Sequence, residues 1–161
     1  LAWVLEPACP ARFDAEALAC KTLRVEDMSV TWLRQPIANP IIYEGAELRA
    51  STEPIVDDGT LSVNLWWQMA RTIRETDVRF VHILNEAGEL VAQNDRNIGI
   101  FSAGDEWVES VTIDISALPA GDYSVRLGWY DFNSLVRWQV EDASLEGAEE
   151  RAPILGTFTR P

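Results

Sequence analysis

Large apolar side chains fall at every second position in four stretches between residues 60 and 131, and each stretch ends in a turn signal. Leu61, Val63, Leu65, Trp67 and Met69 are separated by polar Ser62, Asn64 and Gln68. Val78, Phe80, His82 and Leu84 share one phase, and the pattern returns in Val111, Ile113 and Ile115. It appears again in Tyr123, Val125, Leu127 and Trp129, with Ser124 and Arg126 between them. A period of two over such lengths marks strands with one face in a core and the other toward water.

Extended along the chain, the same reading places strands at residues 47–51, 60–70, 77–84, 89–94, 106–115, 122–130, 135–140 and 154–159. The breaks carry turn chemistry: Asp57-Asp58-Gly59, Asn85-Glu86-Ala87-Gly88, Ala103-Gly104-Asp105 and Pro119-Ala120-Gly121-Asp122. The hairpin at Asn85 to Gly88 is the best defined. Many short strands with no helical period between them specify an all-β fold, an antiparallel β-sandwich of immunoglobulin-like or jelly-roll type. Residues 1–40 read differently: a helix-compatible stretch over residues 14–19 with Asp14 as N-cap, a strand-like run around Met28, Val30 and Trp32, then Pro36 and Pro40. The chain therefore divides into an irregular N-terminal extension, residues 1–40, and a sandwich domain, residues 41–161. The acidic tract over residues 141–150 reads as a solvated loop.

The 161 residues, 47% of them hydrophobic, suffice for one domain with a real core. The formal charge of −13 changes the list of partners, since it repels a phosphate backbone and disfavours an anionic membrane surface. No nucleic acid is expected. No apolar run approaches the roughly 20 residues that span a bilayer, and no complete signal peptide is visible, although residues 1–5 are apolar. Cys9 and Cys20 enclose a short loop flanked by Pro7 and Pro10 and lie outside the core strands. In an oxidising compartment they pair, and closing such a loop contributes about 3 kcal/mol through the unfolded chain. The alternative is two free thiols in a reducing compartment. Partner ligands for a metal are lacking, because the single histidine is distant in sequence, so neither metal nor cofactor is expected.

Catalytic chemistry finds little purchase. His82, in phase with Val78, Phe80 and Leu84, points toward the core face and reads as a hydrogen-bonded structural residue, since no local carboxylate or nucleophile accompanies it. Ser102, Ser110 and Ser134 lack an elbow-like context. Asp57, Asp58, Asp95, Asp105 and Asp131 sit at strand ends, but none has the spacing of a calcium loop, and solvated turns explain them better. Seven tryptophans are more than such a domain needs. Trp67, Trp107 and Trp129 are in phase with apolar faces; Trp66 is not, lying between Asn64 and Gln68, and Tyr130 and Trp138 are also out of phase. An aromatic platform beside amides is what stacking on a sugar ring requires, which makes Trp66, Asn64, Gln68, Tyr130 and Trp138 the ligand-binding candidates. The competing reading, favoured by the rarity of large exposed aromatic patches, covers that face with the extension carrying Trp3 and Trp32.

The succession Asn64-Leu65-Trp66-Trp67, Arg79-Phe80-Val81-His82-Ile83-Leu84-Asn85-Glu86-Ala87-Gly88 and Val91-Ala92-Gln93-Asn94-Asp95 resembles a β-sandwich domain found beside membrane-embedded glycosyltransferase-like proteins of chloroflexus-type bacteria. The likeness continues through Phe101-Ser102-Ala103-Gly104-Asp105, Leu118-Pro119-Ala120-Gly121-Asp122-Tyr123, Arg126-Leu127-Gly128-Trp129-Tyr130-Asp131 and Leu155-Gly156. It departs after Asp95, where a Pro-rich, Trp-containing loop is replaced by Arg96-Asn97-Ile98-Gly99-Ile100. The resemblance implies a non-catalytic, extracytoplasmic accessory domain. The expectation is thus a binding or interaction module, periplasmic or on the cell surface, that contacts a protein or glycan partner in the cell envelope. Any membrane association would run through a partner or a segment outside this sequence. The alternative is a structural subunit of a membrane-associated or surface assembly.

Overall fold

The computed structural model describes residues 40–161 in full and, ahead of them, the backbone of four strands. Three of these, β1 (Val4–Glu6), β2 (Ala19–Val25) and β3 (Met28–Arg34), form an antiparallel sheet in the order β1-β2-β3. The strand-like run around Met28, Val30 and Trp32 is therefore β3, and the extension, read as irregular, carries regular strands. Residues 14–18 of the helix-compatible stretch, with its N-cap, lie outside the described residues, and Ala19 opens β2. The Cys9–Cys20 pairing also lies outside them.

Two further antiparallel sheets form the sandwich. One contains β4 (Pro36–Ile42), β5 (Ala46–Ser51), β6 (Ile55–Asp57), β7 (Thr60–Met69) and β10 (Glu106–Asp114), in the order β10-β7-β5-β4 with β6 also on β7. The other has the order β12-β11-β8-β9, from β8 (Asp77–Asn85), β9 (Leu90–Asn97), β11 (Gly121–Asp131) and β12 (Ile154–Arg160). No helix occurs among the described residues. The chain crosses between sheets after β7, β9 and β10, a connectivity of the immunoglobulin-like rather than the jelly-roll kind. Tyr123, at the start of β11, donates its hydroxyl to the Pro119 carbonyl at 2.8 Å, the tyrosine corner that recurs in such sandwiches.

The alternation in the sequence sets the core. Leu61, Val63, Leu65, Trp67 and Met69 of β7 face Val81, Ile83, Tyr123, Val125, Leu127 and Trp129 of the other sheet, and all are buried. Trp67 meets Trp129 edge-to-face at 5.2 Å, and Trp138 stacks on Trp129 at 4.9 Å, contacts that add about 0.5–1.5 kcal/mol each beyond their buried area. Turns follow the sequence closely. Asp58 and Gly59 both take positive φ in the β6–β7 hairpin, and Asn85 closes the β8–β9 turn by accepting Gly88 N–H at 2.9 Å.

Three elements differ from expectation. β4 runs through Pro36 and Pro40, across the boundary set by those prolines, and its place at a sheet edge accommodates residues that lack an N–H. Residues 135–140 form no strand; only the isolated bridges Tyr130↔Arg137 and Tyr43↔Val140 occur there, because Asp131 folds the chain into a turn and Leu135 takes φ 56°. His82 points away from the core rather than into it. Val81 and Ile83 occupy the core phase of β8, while Phe80 and His82 share its outer face. Residues 77–81 are nonetheless all buried, because the segment after β11 folds over that face. The phase of β8 is therefore hidden by burial on both sides.

Candidate functional site

The outer face of the four-stranded sheet gathers the polar chemistry. Asp122, Ser124 and Arg126 alternate outward from β11 between core residues, and strand register sets Arg126 opposite His82 and Gly128 opposite Phe80. Only glycine fits at 128: a β-carbon there would lie 2.6 Å from the Phe80 ring and 2.9 Å from the Arg151 carbonyl oxygen. This close approach seats the Phe80 ring flat on the sheet. His82 packs on it at 4.3 Å between ring centroids, and the Arg137 guanidinium covers it at 4.8 Å.

Asp95 of β9 joins two neighbours on this face. Its Oδ1 lies 3.0 Å from His82 Nε2, and its Oδ2 accepts the Tyr130 hydroxyl at 3.2 Å. Burial holds the His82 imidazole below its ordinary value of 6.5, against the pull of Asp95, and Arg137 pushes the same way as burial. The ring is therefore neutral at pH 7, with its proton on Nε2 donated to Asp95 and Nδ1 left as an acceptor. Burial, then the Asp95 charge and hydrogen bond, raise the Tyr130 hydroxyl. The expected lack of a carboxylate near His82 is thus corrected by cross-strand pairing. The Asn85–Gly88 hairpin sets His82 against Gln93, and Asp95 follows two residues later on the same face. That register was the available signal.

Beside Arg126 the face deepens into an open groove of about 550 Å³. Ser124 and Asp122 of β11, Thr157 of β12, Glu86 of the hairpin turn and Glu146 of the acidic tract line it with Arg126. Arg126 Nη1 pairs with Glu150 at 3.4 Å, while its buried Nε has no hydrogen-bond partner. The lining thus combines hydroxyls that donate and accept, carboxylates that accept, and a guanidinium that donates. The acidic tract is accordingly more than a solvated loop: it walls this groove, and Glu146 O accepts the Ile154 N–H at 2.9 Å.

No protein-family model matches the chain, and no curated protein matches it. Among solved structures it is similar to a β-glucuronidase from glycoside hydrolase family 2, at 11% sequence identity and a TM-score of 0.39. The likeness covers 75% of this chain and 10% of that one.

The five aromatic and amide candidates do not share a surface. Asn64, Trp66 and Gln68 lie half-buried on the outer face of the five-stranded sheet, where Trp66 pairs in register with exposed Val108. Tyr130 lies on the outer face of the opposite sheet. Trp138 was expected out of phase with burial and is instead buried, sandwiched between Trp129 at 4.9 Å and the Arg71 guanidinium at 4.2 Å. Its backbone leaves the strand ladder, so periodicity carries no information about it. Among the loop aspartates, Asp105 accepts the Ser102 N–H, and Asp131 accepts those of Asn133 and Ser134. No group of three or more metal-ligating side chains forms among the described residues.

Proposed function

We propose that this chain is a non-catalytic, extracytoplasmic binding module that holds a neutral carbohydrate on the outer face of its four-stranded sheet. The observation that carries the reading is the groove at Arg126, where donors and acceptors alternate over a span suited to one or two sugar rings. A sugar hydroxyl both donates and accepts, so hydroxyls, carboxylates and a guanidinium together match it. The preponderance of carboxylates disfavours uronates and phosphates. His82 and Asp95 extend the same face and are bonded to each other, with the second Asp95 oxygen taken by Tyr130, which favours a positioned surface over an acid–base pair free for catalysis.

The test is titration calorimetry with neutral oligosaccharides, amino sugars, uronates and a lysine-rich peptide. Saturable heat with a neutral sugar, weakened at least tenfold by Arg126→Ala and by Ser124→Val, supports the reading. Binding of the basic peptide alone, or sugar binding indifferent to both substitutions, overturns it.

A further inference from the structure

The end of the sandwich formed by the loops after β7, β9 and β11 carries exposed apolar residues that contribute little to folding. Phe132, Leu135 and Val136 follow β11 with exposures of 64%, 70% and 54%, and Ile100 follows β9 at 68%. Register places these loops at one end, since Asp131 pairs with Asp77 and Asn97 with Val78. Isolated exposed apolar residues are ordinary, but a cluster on adjoining loops is not.

The loop is built rigidly. Asp131 Oδ1 accepts the N–H groups of Asn133 and Ser134 and the Ser134 hydroxyl, and its Oδ2 accepts the Thr76 hydroxyl at 2.9 Å. Phe132 N–H donates to Thr76 O at 2.7 Å, Leu135 N–H to Asp131 O at 2.8 Å, and Asp131 N–H to Val136 O at 3.1 Å. Leu135 holds φ 56°, a left-handed conformation that glycine or asparagine adopts more readily. A large apolar side chain therefore stands in water on a strained backbone, where a better-suited residue would fold more easily. Strain of this kind, held by an ordered surround, marks a surface shaped for contact.

We infer that this loop end inserts its Phe132–Leu135–Val136 knob into an apolar pocket of a partner protein whose rim is basic. The charge argues for that occupant. Glu44, Glu75, Asp105 and Glu106 are exposed at this end against Arg74, the acids Asp77 and Asp131 being held in ion pairs, and the whole chain carries −13. Such a field steers a basic protein toward the knob and repels both an anionic bilayer and a second copy. A few loop side chains without a polybasic patch also make a weak membrane anchor. Pre-ordering of the loop lowers the entropy lost on docking. The inference is independent of the carbohydrate reading, whose groove lies toward the other end of the sheet.

The experiment places a photo-reactive benzoylphenylalanine at Val136, and as control at Glu149, in the full chain made in its native cells. A discrete heterologous adduct from position 136 alone identifies the partner, which is then purified and titrated. Wild-type binding that weakens with added salt and falls at least tenfold in Leu135→Asn and Phe132→Ser, while Arg126→Ala leaves it unchanged, supports the inference. Absence of an adduct, an adduct only with another copy of the chain, flotation of the protein with phosphatidylcholine–phosphatidylglycerol vesicles, or equal affinity of the variants overturns it.

Discussion

Arg79 of β8 and Glu109 of β10 meet at 2.8 Å across the interior, so that a single ion pair ties the two sheets together. Both side chains are almost wholly buried; Arg79 also donates to the Asn94 carbonyl at 2.7 Å. Burial draws the Arg79 guanidinium down and the Glu109 carboxyl up, each opposed by the partner's charge. Satisfaction is incomplete. Arg79 Nε and Glu109 Oε1 lack hydrogen bonds, and the Trp67 indole N–H approaches the same carboxylate without reaching hydrogen-bond geometry.

Such a pair is expensive to break and easy to replace. Arg79→Met or Glu109→Leu alone should cost about 3–5 kcal/mol by leaving a buried charge unpaired. The double variant should recover most of that loss, because two apolar side chains need no desolvation. Urea unfolding of all four proteins measures this; a double variant as unstable as the sum of the singles would show that the two residues are not coupled.

Acid should weaken the fold in two separate windows. His82 has a folded pKa below its unfolded 6.5, so the unfolded chain binds more protons between those values and stability falls as pH drops through them. Burial pushes Asp77 up, but hydrogen bonds from Arg74 and Arg71 outweigh it and hold the carboxyl below 3.8, so its contribution is lost only at lower pH. His82→Gln should flatten the upper window and leave the lower one. An unchanged profile of unfolding free energy between pH 7 and 5 would remove His82 from this role.

Leu135→Asn should leave the protein as stable as wild type or raise its stability by up to about 1 kcal/mol, since asparagine tolerates the left-handed backbone. A fall in Tm would mean that the leucine side chain supports the fold despite its exposure.

Trp66 and Tyr130 lie on opposite outer faces, so their substitutions should separate two surfaces. Trp66→Ala should lower stability by about 1–2 kcal/mol, as loss of a half-buried ring does, without altering sugar affinity. A marked loss of sugar binding with intact stability would return the carbohydrate site to the five-stranded sheet.

Cys9 and Cys20 should be joined in protein taken from its native compartment. Alkylation without reduction, followed by mass spectrometry, should detect no free thiol; two labelled cysteines would argue against an extracytoplasmic location.

Alternation made β7 and β11 legible, because each has one core face and one more open face, and Leu61 to Met69 and Tyr123 to Trp129 are buried as their period demands. β8 defeated the same logic. Its outer Phe80 is covered by Arg137 as completely as its inner Val81 is by the core, so apolar residues on the two faces look alike in sequence. β6 was missed since its three residues are exposed and follow Pro54. The candidate site was unread for a different reason: His82, Asp95 and Tyr130 come from three strands, and their meeting depends on register and sheet order.

The prolines of β4 bear on how the protein behaves when crowded. An edge strand ordinarily offers a free row of amide hydrogens on which another chain can zip. Pro36 and Pro40 have no such hydrogens to offer along this border. The five-stranded sheet thus ends on a frayed hem instead of an open template. Restoring the missing amides with Pro40→Thr would turn that border into a seam along which copies could fibrillise.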